Sequence, residues 1–453
     1  MRRLPWMFAL ILLAPALVLA ESATLSVEDG MGPSPKLPAP VKSLLPTVEV
    51  APVKPWGASE APTAGGPDLR VGRFASGLDH PRWLHVLPNG DVLVAETNGP
   101  DRPDEKKGVR GFMMKRMMEK AGAGAPSADR LTLLRDADRD GIAETRTVFA
   151  QGLYSPFGMA LSGDRLYVAN ADAVVRFPYK PGQDRAEGAP QKVADLPGGP
   201  RNHHWTKGLI ASVDGRKLYA SVGSNSNVAE HGLELEKDRA AILEIDAETG
   251  KSRVFASGLR NPVGMAWEPV TGALWVAVNE RDEIGSDLVP DYMTSVKDGG
   301  FYGWPWSWYG SHVDERVKPA RPDMVATAIV PDYALGAHTA ALGLSNAVGN
   351  KLPERFAQGM FVGLHGSWNR DPPSGYKVIF VAFEQGRPKG MPVDVLTGFL
   401  DAEGHARGRP VGVAIDAQGG LLVADDVGGI VWRVSAAQAA GLESAAGNPM
   451  VGK

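Results

Sequence analysis

The sequence predicts an all-β protein, a six-bladed β-propeller with inserted loops, from its repeats and its composition. Six segments share one pattern: a short apolar strand, a polar turn and a second alternating strand, which is typical of consecutive antiparallel strands. These segments begin at Phe74, Phe149, Asp195, Phe255, Tyr333 and Gly404. The 453 residues include 54 Gly and 36 Pro, a turn content that disfavours a helical protein. Propeller blades take roughly 40–50 residues, so the extra length between several segments predicts inserted loops.

Residues 1–20 are predicted to be a cleaved signal peptide. Arg2 and Arg3 precede an apolar run that ends near Leu19, and small residues stand at the positions required for a cut before Glu21. The run is shorter than the about 20 apolar residues of a membrane span. The chain has no Cys, which excludes a lipid-modified cysteine and any disulfide. We therefore expect a periplasmic or secreted protein with no stable membrane insertion after cleavage.

The remaining chain divides by composition into three parts. Residues 21–68 are rich in Pro and Ala and predict a disordered linker, because they offer little apolar surface to bury. Residues 69–435 contain the repeats and form the predicted propeller domain, and residues 436–453 predict a flexible tail. A formal charge of -4 and a pI near 6.2 indicate no basic surface for nucleic acid.

Histidine and arginine residues precede the first strand of most repeats. They are His80, Arg82, His203, His204, Arg260, His338, Arg407 and Arg409. Equivalent positions in a propeller converge on one end of its central channel, so these side chains should lie together. Arginine binds carboxylates in a bidentate manner, and histidine can take a proton near neutral pH. The set therefore favours an anionic ligand and a general base, although each member alone could be a satisfied core group.

Several of these stretches resemble the pyrroloquinoline quinone (PQQ)-dependent sugar dehydrogenases, specifically their sorbosone dehydrogenase-like branch. The similar motifs are HHWTKGL, LYASVGSNSN, GLRNPVGMAWEP, DGGFYGWPWSWYG, GLHGSWNRDPPSGYK and RGRPVGVA, which lie between about Gly72 and Val434. The resemblance implies a propeller that holds PQQ with Ca²⁺ at one end of its channel. It also implies oxidation of an aldose or sugar aldehyde by hydride transfer to PQQ, with electrons passed to an external cytochrome or quinone.

The resemblance assigns roles to individual residues. It implies that His204 is the general base, with His203 as the competing choice. It places a set of polar side chains at the cofactor: Arg260, Asn261, Arg407, Arg409 and Asn225. A cofactor-contacting lysine of the family has no clear match in the fifth blade, where His365 is favoured over Arg370 and Lys377.

The predicted calcium ligands come from two places. The glucose-oxidising relatives bind calcium through a Gly-Pro step that this chain lacks after its fourth blade, so Glu280 and Asp287 are candidate ligands, with paired surface charges as the alternative. Separately, carboxylates at Asp136, Asp138 and Asp140 precede Gly141, as at the start of a calcium loop. Position twelve is Thr147 and not Glu, so this stretch is either an Asp-rich hairpin turn, with Glu144 nearby, or a structural calcium turn.

Two other functions are consistent with a propeller. A lactonase-type enzyme would need Glu, Asp and Asn around a central metal, and a non-catalytic protein could bind a carboxylated or sugar ligand without turnover. The identity of the sugar would depend on inserted loops such as Asp282 to His312, whose Trp304, Trp306 and Trp308 could stack on a sugar ring or pack against one another.

Overall fold

A computed structural model describes residues 21–41, 47–100, 116–122 and 124–437 of the chain. Six antiparallel sheets are arranged as blades around one axis, which confirms the predicted all-β, six-bladed propeller. The first strand of each blade contacts the first strands of both neighbouring blades, and these contacts close into a ring. The first strands therefore surround the axis.

The first three blades each have four strands. From the axis outward, blade one comprises Pro81–Val86, Val92–Glu96, Arg130–Arg135 and Thr145–Gln151. Blade two comprises Met159–Ser162, Arg165–Ala169, Ala173–Pro178 and Gln191–Asp195. Blade three comprises Leu209–Ala211, Lys217–Val222, Ala241–Asp246 and Ser252–Ser257.

The last three blades recruit strands from the N-terminal part of the chain. Blade four comprises Asn261–Trp267, Leu274–Asn279, Pro290–Ser295, Tyr333–Ala337 and the added Met31–Gly32. Blade five comprises Ala341–Asn346, Gly359–Leu364, Lys377–Glu384, Val393–Thr397 and the added Thr63–Ala64. Blade six comprises Pro410–Ile415, Leu421–Asp425, Ile430–Ala436 and Leu69–Ser76. The strand Leu69–Ser76 thus closes the propeller, because it precedes blade one in the sequence and completes blade six.

Short elements fill the loops between the blade strands. They include helical residues 116–120, the α-helix Pro322–Val325, the 3₁₀ helices Glu28–Gly30, Leu233–Glu236 and Glu354–Phe356, the hairpin Ser307–Trp308 with His312–Val313, and the strand Arg387–Pro388. No helix in the described ranges has the length and hydrophobicity needed to cross a membrane.

Glycines at equivalent positions allow the first strands to approach one another around the axis. They are Gly158, Gly208, Gly264, Gly343 and Gly412. A Cβ atom at Gly208 would lie 2.2 Å from the carbonyl oxygen of Val263 in blade four, and one at Gly343 would lie 2.0 Å from that of Val411 in blade six. The glycine that recurs in the repeat is therefore required by the contact between blades.

The described residues of the predicted linker pack on the propeller, which corrects the expectation of disorder over 21–68. We call residues 21–41 and 47–68 the N-terminal arm. Met31–Gly32 and Thr63–Ala64 pair with the outer strands of blades four and five, and Val50 and Ala51 are buried. The composition of the arm did not indicate this, because the hydrogen-bonding edges that order it belong to distant blades. The signal peptide and residues 438–453 lie outside the described residues and remain predictions.

Candidate functional site

The predicted His and Arg residues lie at one end of the propeller, where first strands begin and second strands finish. We call this the site end. Non-glycine residues with left-handed backbones lie in the segments that lead into three first strands. His80 directly precedes the first strand of blade one, and Ser155 and His338 lie four and three residues before those of blades two and five, with φ of 55°, 44° and 58°. Positive φ is uncommon for such residues and concentrates at functional sites. The repeated turn is thus locally strained at the end where the candidate residues lie.

Asp426 joins side chains from three blades at the site end. Its Oδ2 accepts hydrogen bonds from Arg82 Nη1 at 2.6 Å and from His365 Nε2 at 2.9 Å, and His80 Nε2 lies 3.5 Å away. Burial opposes ionisation, but His365, His80 and Arg82 hold the pKa of Asp426 well below its usual range. Burial lowers the pKa of His80 to about 4 and also lowers that of His365. At neutral pH the cluster is therefore an Arg82–Asp426 ion pair with two neutral imidazoles.

Arg409 is a buried cation with unused hydrogen-bond donors. Its side chain is 1% exposed and its guanidinium lies 4.7 Å over the ring of Tyr376. Nη1 donates to the carbonyl oxygens of His365 at 3.4 Å and Gly366 at 3.3 Å. Its Nε and Nη2 atoms have no hydrogen-bond partner among the described residues. Buried guanidinium donors are normally satisfied, so Arg409 fits a site for an anionic group.

Asp425 fixes the backbone of Arg409 and was missed by the sequence prediction. Its Oδ1 accepts from the backbone N–H groups of Arg409 at 2.8 Å and Gly428 at 2.9 Å. Its Oδ2 accepts from the indole N–H of Trp432 at 3.1 Å and that of Trp56 in the N-terminal arm at 2.9 Å. Burial raises the pKa of Asp425 to about 6. The arm thereby contributes to the loop that carries Arg409.

The imidazole of His204 is oriented by its own blade. Nδ1 lies 2.8 Å from the carbonyl oxygen of Ser224, and the Ser224 hydroxyl donates to the carbonyl of Ser226 at 2.6 Å. Because a carbonyl only accepts, Nδ1 carries the proton in this hydrogen bond and the ring's lone pair lies on Nε2. A half-buried histidine in this tautomer has the form that a general base requires.

A buried lysine holds the loop of His204. The side chain of Lys207 is 0% exposed, and its Nζ donates to Trp205 O at 3.1 Å, to His204 O at 3.2 Å and to Asn202 Oδ1 at 3.4 Å. Burial and the nearby Arg239 lower the pKa of Lys207 well below its usual value. No carboxylate forms a salt bridge with it in the described part of the chain. Lys207 therefore acts on the backbone conformation of the candidate base.

Asn261 lies beside His204, and Gly223 separates them. A Cβ atom at Gly223 would be 2.3 Å from Asn261 Oδ1 and 2.4 Å from His204 Cβ. Asn261 Oδ1 is buried and accepts no hydrogen bond within the described ranges. Asn225 holds the neighbouring backbone in place. Its backbone N–H donates to Glu236 at 2.7 Å, and its side chain accepts a long hydrogen bond from the His203 N–H at 3.5 Å.

Arg260 points into a group of oxygen atoms at the end of blade four. It donates to Asn227 Oδ1 at 2.9 Å and Asp282 Oδ2 at 3.2 Å, and also to the carbonyl oxygens of Asn279 and Glu280. These two carbonyls follow the second strand of blade four, where the glucose-oxidising relatives were expected to bind calcium. Here they accept hydrogen bonds from a guanidinium, so they do not form a free set of calcium ligands.

Asp282 connects Arg260 to His338 in blade five. His338 Nδ1 lies 3.1 Å from Asp282 Oδ1, and Nε2 lies 3.0 Å from the carbonyl oxygen of Gly285. Burial alone would lower the pKa of His338, but Asp282 raises it. Burial likewise opposes ionisation of Asp282, yet His338 and Arg260 lower its pKa. Arg260, Asp282 and His338 therefore form one connected group that joins the ends of blades four and five.

Some predicted cofactor residues lie elsewhere. Arg407 contacts the N-terminal arm, donating to Lys54 O at 2.9 Å and lying 5.1 Å over the ring of Trp56. Of the three residues that competed in the fifth blade, Lys377 pairs with Asp394 at 2.9 Å and Arg370 donates to backbone carbonyls. Only His365 of these three joins the Asp426 cluster, by the hydrogen bond given above.

The predicted calcium ligands do not form one site. Glu280 pairs with Arg281 at 3.0 Å, and Asp287 accepts hydrogen bonds from Thr24 at 2.7 Å. The ligand atoms of Asp136, Asp138, Asp140 and Glu144 do lie within 4.8 Å of one another, as do those of Asp401, Glu403 and His405. The first group has the geometry expected of an Asp-rich turn, and calcium binding there remains a prediction. The second group was not recognised in the sequence.

Comparison with known families places the chain in the TrAA12-like family. The model of the TrAA12-like family matches residues 126–295 and 323–437. An uncharacterized protein of Borreliella burgdorferi is 27% identical over 309 residues, which are 65% of this chain and 79% of that protein. The pyrroloquinoline quinone-dependent pyranose dehydrogenase of Coprinopsis cinerea is 23% identical over 359 residues, 69% of this chain and 44% of that protein. The match therefore spans less than half of that dehydrogenase.

Solved structures show the same fold at low sequence identity. The calcium structure of the Trichoderma reesei Carbohydrate-Active Enzymes Family AA12 protein has a TM-score of 0.67 at 17% identity and covers 86% of this chain and 99% of that chain. The holo PQQ domain of the Coprinopsis cinerea pyranose dehydrogenase has a TM-score of 0.65 at 22% identity, and the match covers 85% of this chain and 100% of that chain. The apo form of the soluble aldose sugar dehydrogenase of Escherichia coli has a TM-score of 0.55 at 17% identity, and the match covers 82% of this chain and 100% of that chain.

Proposed function

Because this chain belongs to the TrAA12-like family, we propose that it is an exported quinoprotein that oxidises an aldose or a sugar aldehyde with PQQ as cofactor. Relatives of the chain are PQQ-dependent sugar dehydrogenases. The sorbosone-like substrate, the periplasmic or secreted location and an external cytochrome or quinone as electron acceptor are parts of this proposal. The chain has no Cys and so no haem-attachment motif of its own.

The unused donors of Arg409 are the observation that carries the proposal. PQQ is a tricarboxylate, and a buried guanidinium with two unpartnered nitrogen atoms is the complement of a carboxylate. Asn261 adds a buried polar atom without a partner in the described chain. Arg409 and Asn261 would hold the cofactor, and Arg82, neutralised by Asp426, would define the side of the site at blade one. His365 would contribute through Asp426, to which it is bonded.

The chemistry divides between the cofactor and the protein. When bound, PQQ supplies a quinone that accepts a hydride. His204 would accept the proton of the sugar hydroxyl at Nε2, while its Nδ1–H stays bonded to the Ser224 carbonyl. Ser224 would stabilise the imidazolium that forms, since its carbonyl dipole faces the Nδ1–H. Lys207 would keep the His204 backbone in place during the transfer.

A lactonase-type propeller is less consistent with this site end. That chemistry needs a metal held by free carboxylates and amides near the axis. Asp426 and Asp282 are instead bonded to Arg82, His365, Arg260 and His338. A non-catalytic protein that binds an anionic ligand would also need the buried Arg409 cation, but it would not need the oriented imidazole of His204.

Substitution of the two adjacent histidines tests the proposed base. We expect His204→Ala to lower the rate of dye reduction, with PQQ bound and a panel of aldoses and sugar aldehydes, by about 10²–10⁴-fold. His203→Ala is the matched control, because His203 is exposed, and it should retain activity within about tenfold of wild type. PQQ titration of both variants separates lost binding from lost catalysis. Full turnover by His204→Ala would refute the assignment, and loss confined to His203→Ala would transfer it to His203.

A further inference from the structure

The N-terminal arm begins between acidic side chains of blades four and five. The carbonyl oxygen of Glu21 accepts hydrogen bonds from the hydroxyls of Ser286 at 2.6 Å and Thr47 at 2.9 Å. The Ser22 hydroxyl donates to Asp371 at 2.6 Å. The backbone N–H and the hydroxyl of Thr24 donate to Asp287, both at 2.7 Å. The backbone around Glu21 is thus fixed against the loops that contain Asp287 and Asp371.

This region contains more negative than positive charge. Arg370 lies 3.6 Å from Asp287 Oδ1, and it also interacts electrostatically with Glu28 and Asp371. Glu21 adds a further carboxylate next to Asp287, and burial together with the Asp287 charge raises the pKa of Glu21. Three carboxylates therefore interact with one guanidinium at the start of the arm, and a fourth, that of Glu21, interacts with Asp287. Such an imbalance in a partly buried region is unfavourable without a further cation.

Two of these carboxylates have an oxygen that receives no hydrogen bond. Within the described ranges, Glu21 Oε2 and Asp287 Oδ1 are both buried without a donor, and the Asp287 side chain is only 8% exposed. Both residues line a cavity of about 180 Å³, together with Thr24, Val41, Ile284 and Leu288. A buried carboxylate oxygen without a hydrogen-bond donor is costly. Arg370, 3.6 Å from Asp287 Oδ1, is too distant to donate a hydrogen bond to it, so a closer cationic donor would be favourable in this cavity.

We propose that the missing cation is the α-ammonium group of Glu21, created when the chain is cut between Ala20 and Glu21. A leader peptidase would hydrolyse this peptide bond with water, leaving a carboxylate on Ala20 and a protonated amine on Glu21. The inference rests on the predicted cleavage before Glu21 and does not depend on the proposed dehydrogenase activity. Removal of the leader would thereby complete the docking of the arm.

The geometry favours the chain's own terminus over a separate ligand. The Glu21 carbonyl is bonded to Ser286, the neighbour of Asp287, and Thr24 is bonded to Asp287 itself. The terminal amine of Glu21 would therefore be created on a segment that is already fixed beside that carboxylate. The apolar part of the lining, which includes Val41 and Ile284, suits an ammonium on a carbon chain better than a hydrated metal ion. The docked terminus would also support the Gly285 carbonyl, which binds His338 at the site end.

Selective labelling of the terminal amine tests this inference. Two chains should be compared: one that starts at Glu21, prepared by a cleavage that leaves no extra residue, and one that retains Ala20. The extra residue displaces the amine by about 3.5 Å. We expect an amine-acylating reagent at neutral pH to label the Glu21 terminus at least about tenfold more slowly than the Ala20 terminus, since a paired ammonium resists deprotonation. The chain exported from the full-length precursor should have the mass of one starting at Glu21.

Two variants keep the test decisive. Asp287→Asn should abolish the difference in labelling rate, whereas Thr24→Val, which removes a hydroxyl but no charge, should preserve it. Equal labelling of the two chains would overturn the inference, as would cleavage at another residue. Slow labelling that persists in Asp287→Asn would also overturn it. If the purified protein binds Ca²⁺ in this cavity equally well with either terminus, the cavity belongs to a separate cation and the inference fails.

Discussion

At the scale of single residues, the candidate site depends on polar atoms whose partners differ from blade to blade. Arg409 and Arg260 come from equivalent turns, yet Arg409 keeps two donors without partners while Arg260 is surrounded by oxygen atoms. The sequence identified both as arginines at the start of a blade. It could not show which was satisfied, because the partners of Arg260 come from two other loops, 19–33 residues away in the sequence.

Lys207 is expected to be a positioning residue for His204. Lys207→Met keeps the apolar stem but removes the hydrogen bonds to His204 O and Trp205 O. We predict a fall in kcat of about tenfold or more with little change in PQQ affinity, because the base loop and not the cofactor pocket is released. A purely structural role would lower stability without this separation. Lys207→Arg should recover part of the lost rate. The assignment would be contradicted if Lys207→Met left the pH profile of kcat unchanged and weakened PQQ binding as much as it lowered kcat.

The buried His80 predicts loss of stability in mild acid. Its pKa is about 4 in the folded chain, chiefly through burial, against about 6.5 when unfolded. Between these values the unfolded chain binds a proton that the folded chain does not, so stability falls as the pH is lowered through this window. Asp426, whose pKa is depressed, adds a loss in the same direction at lower pH.

Denaturant unfolding between pH 7 and pH 4 measures this effect. His80→Gln should reduce the pH dependence by up to about 1.4 kcal/mol per pH unit, the contribution of one proton. His231→Gln, at an exposed position, should follow the wild-type curve. An unchanged slope in His80→Gln would show that His80 does not titrate as described.

At the scale of the element, the first strand of each blade contains a repeated residue that the fold requires, and it is preceded by residues that form the candidate site. The repeated Gly was visible in the sequence as a pattern, and the structure gives its reason, since a side chain there would overlap the next blade. The residues just before the strand differ between blades and supply the site. This explains why the fold and residues such as His204, Arg260 and Asn261 could be located from sequence. The contact of Arg407 with the arm could not be predicted, because the arm lies more than 300 residues earlier in the sequence.

Replacement of an interblade glycine should destabilise the propeller. A Cβ atom at Gly343 would lie 2.0 Å from Val411 O, whereas Gly72 has no atom within 4 Å of its Cβ position. We predict that Gly343→Ala lowers the free energy of unfolding by about 1–3 kcal/mol or more, or prevents folding, because backbone must move. Gly72→Ala should stay within about 1 kcal/mol of wild type. Equal thermal midpoints for the two variants would contradict the proposed role of the glycine.

At the scale of the whole molecule, closure of the propeller and docking of the arm were the least visible features. Leu69–Ser76 completes blade six by pairing with Ile430–Ala436, at the opposite end of the repeats. The arm crosses blades four, five and six, where Trp56 bonds to Asp425. Composition predicted disorder for the arm because it measures local apolar content and takes no account of unpaired sheet edges elsewhere. The role of Asp287 was uncertain for the same reason, since it accepts hydrogen bonds from Thr24 of the arm, which is distant in sequence.

The most direct test of the central claim is an equilibrium titration of the purified protein with PQQ, followed by absorbance, for wild type, Arg409→Ala and Arg407→Ala. Loss of charge-assisted hydrogen bonds worth about 1.5–3 kcal/mol should weaken PQQ binding at least about tenfold in Arg409→Ala. Arg407→Ala should bind within about threefold of wild type, because Arg407 contacts the arm. If wild type shows no saturable PQQ binding, or if Arg409→Ala binds PQQ as wild type does, the assignment of this site end to the cofactor is wrong.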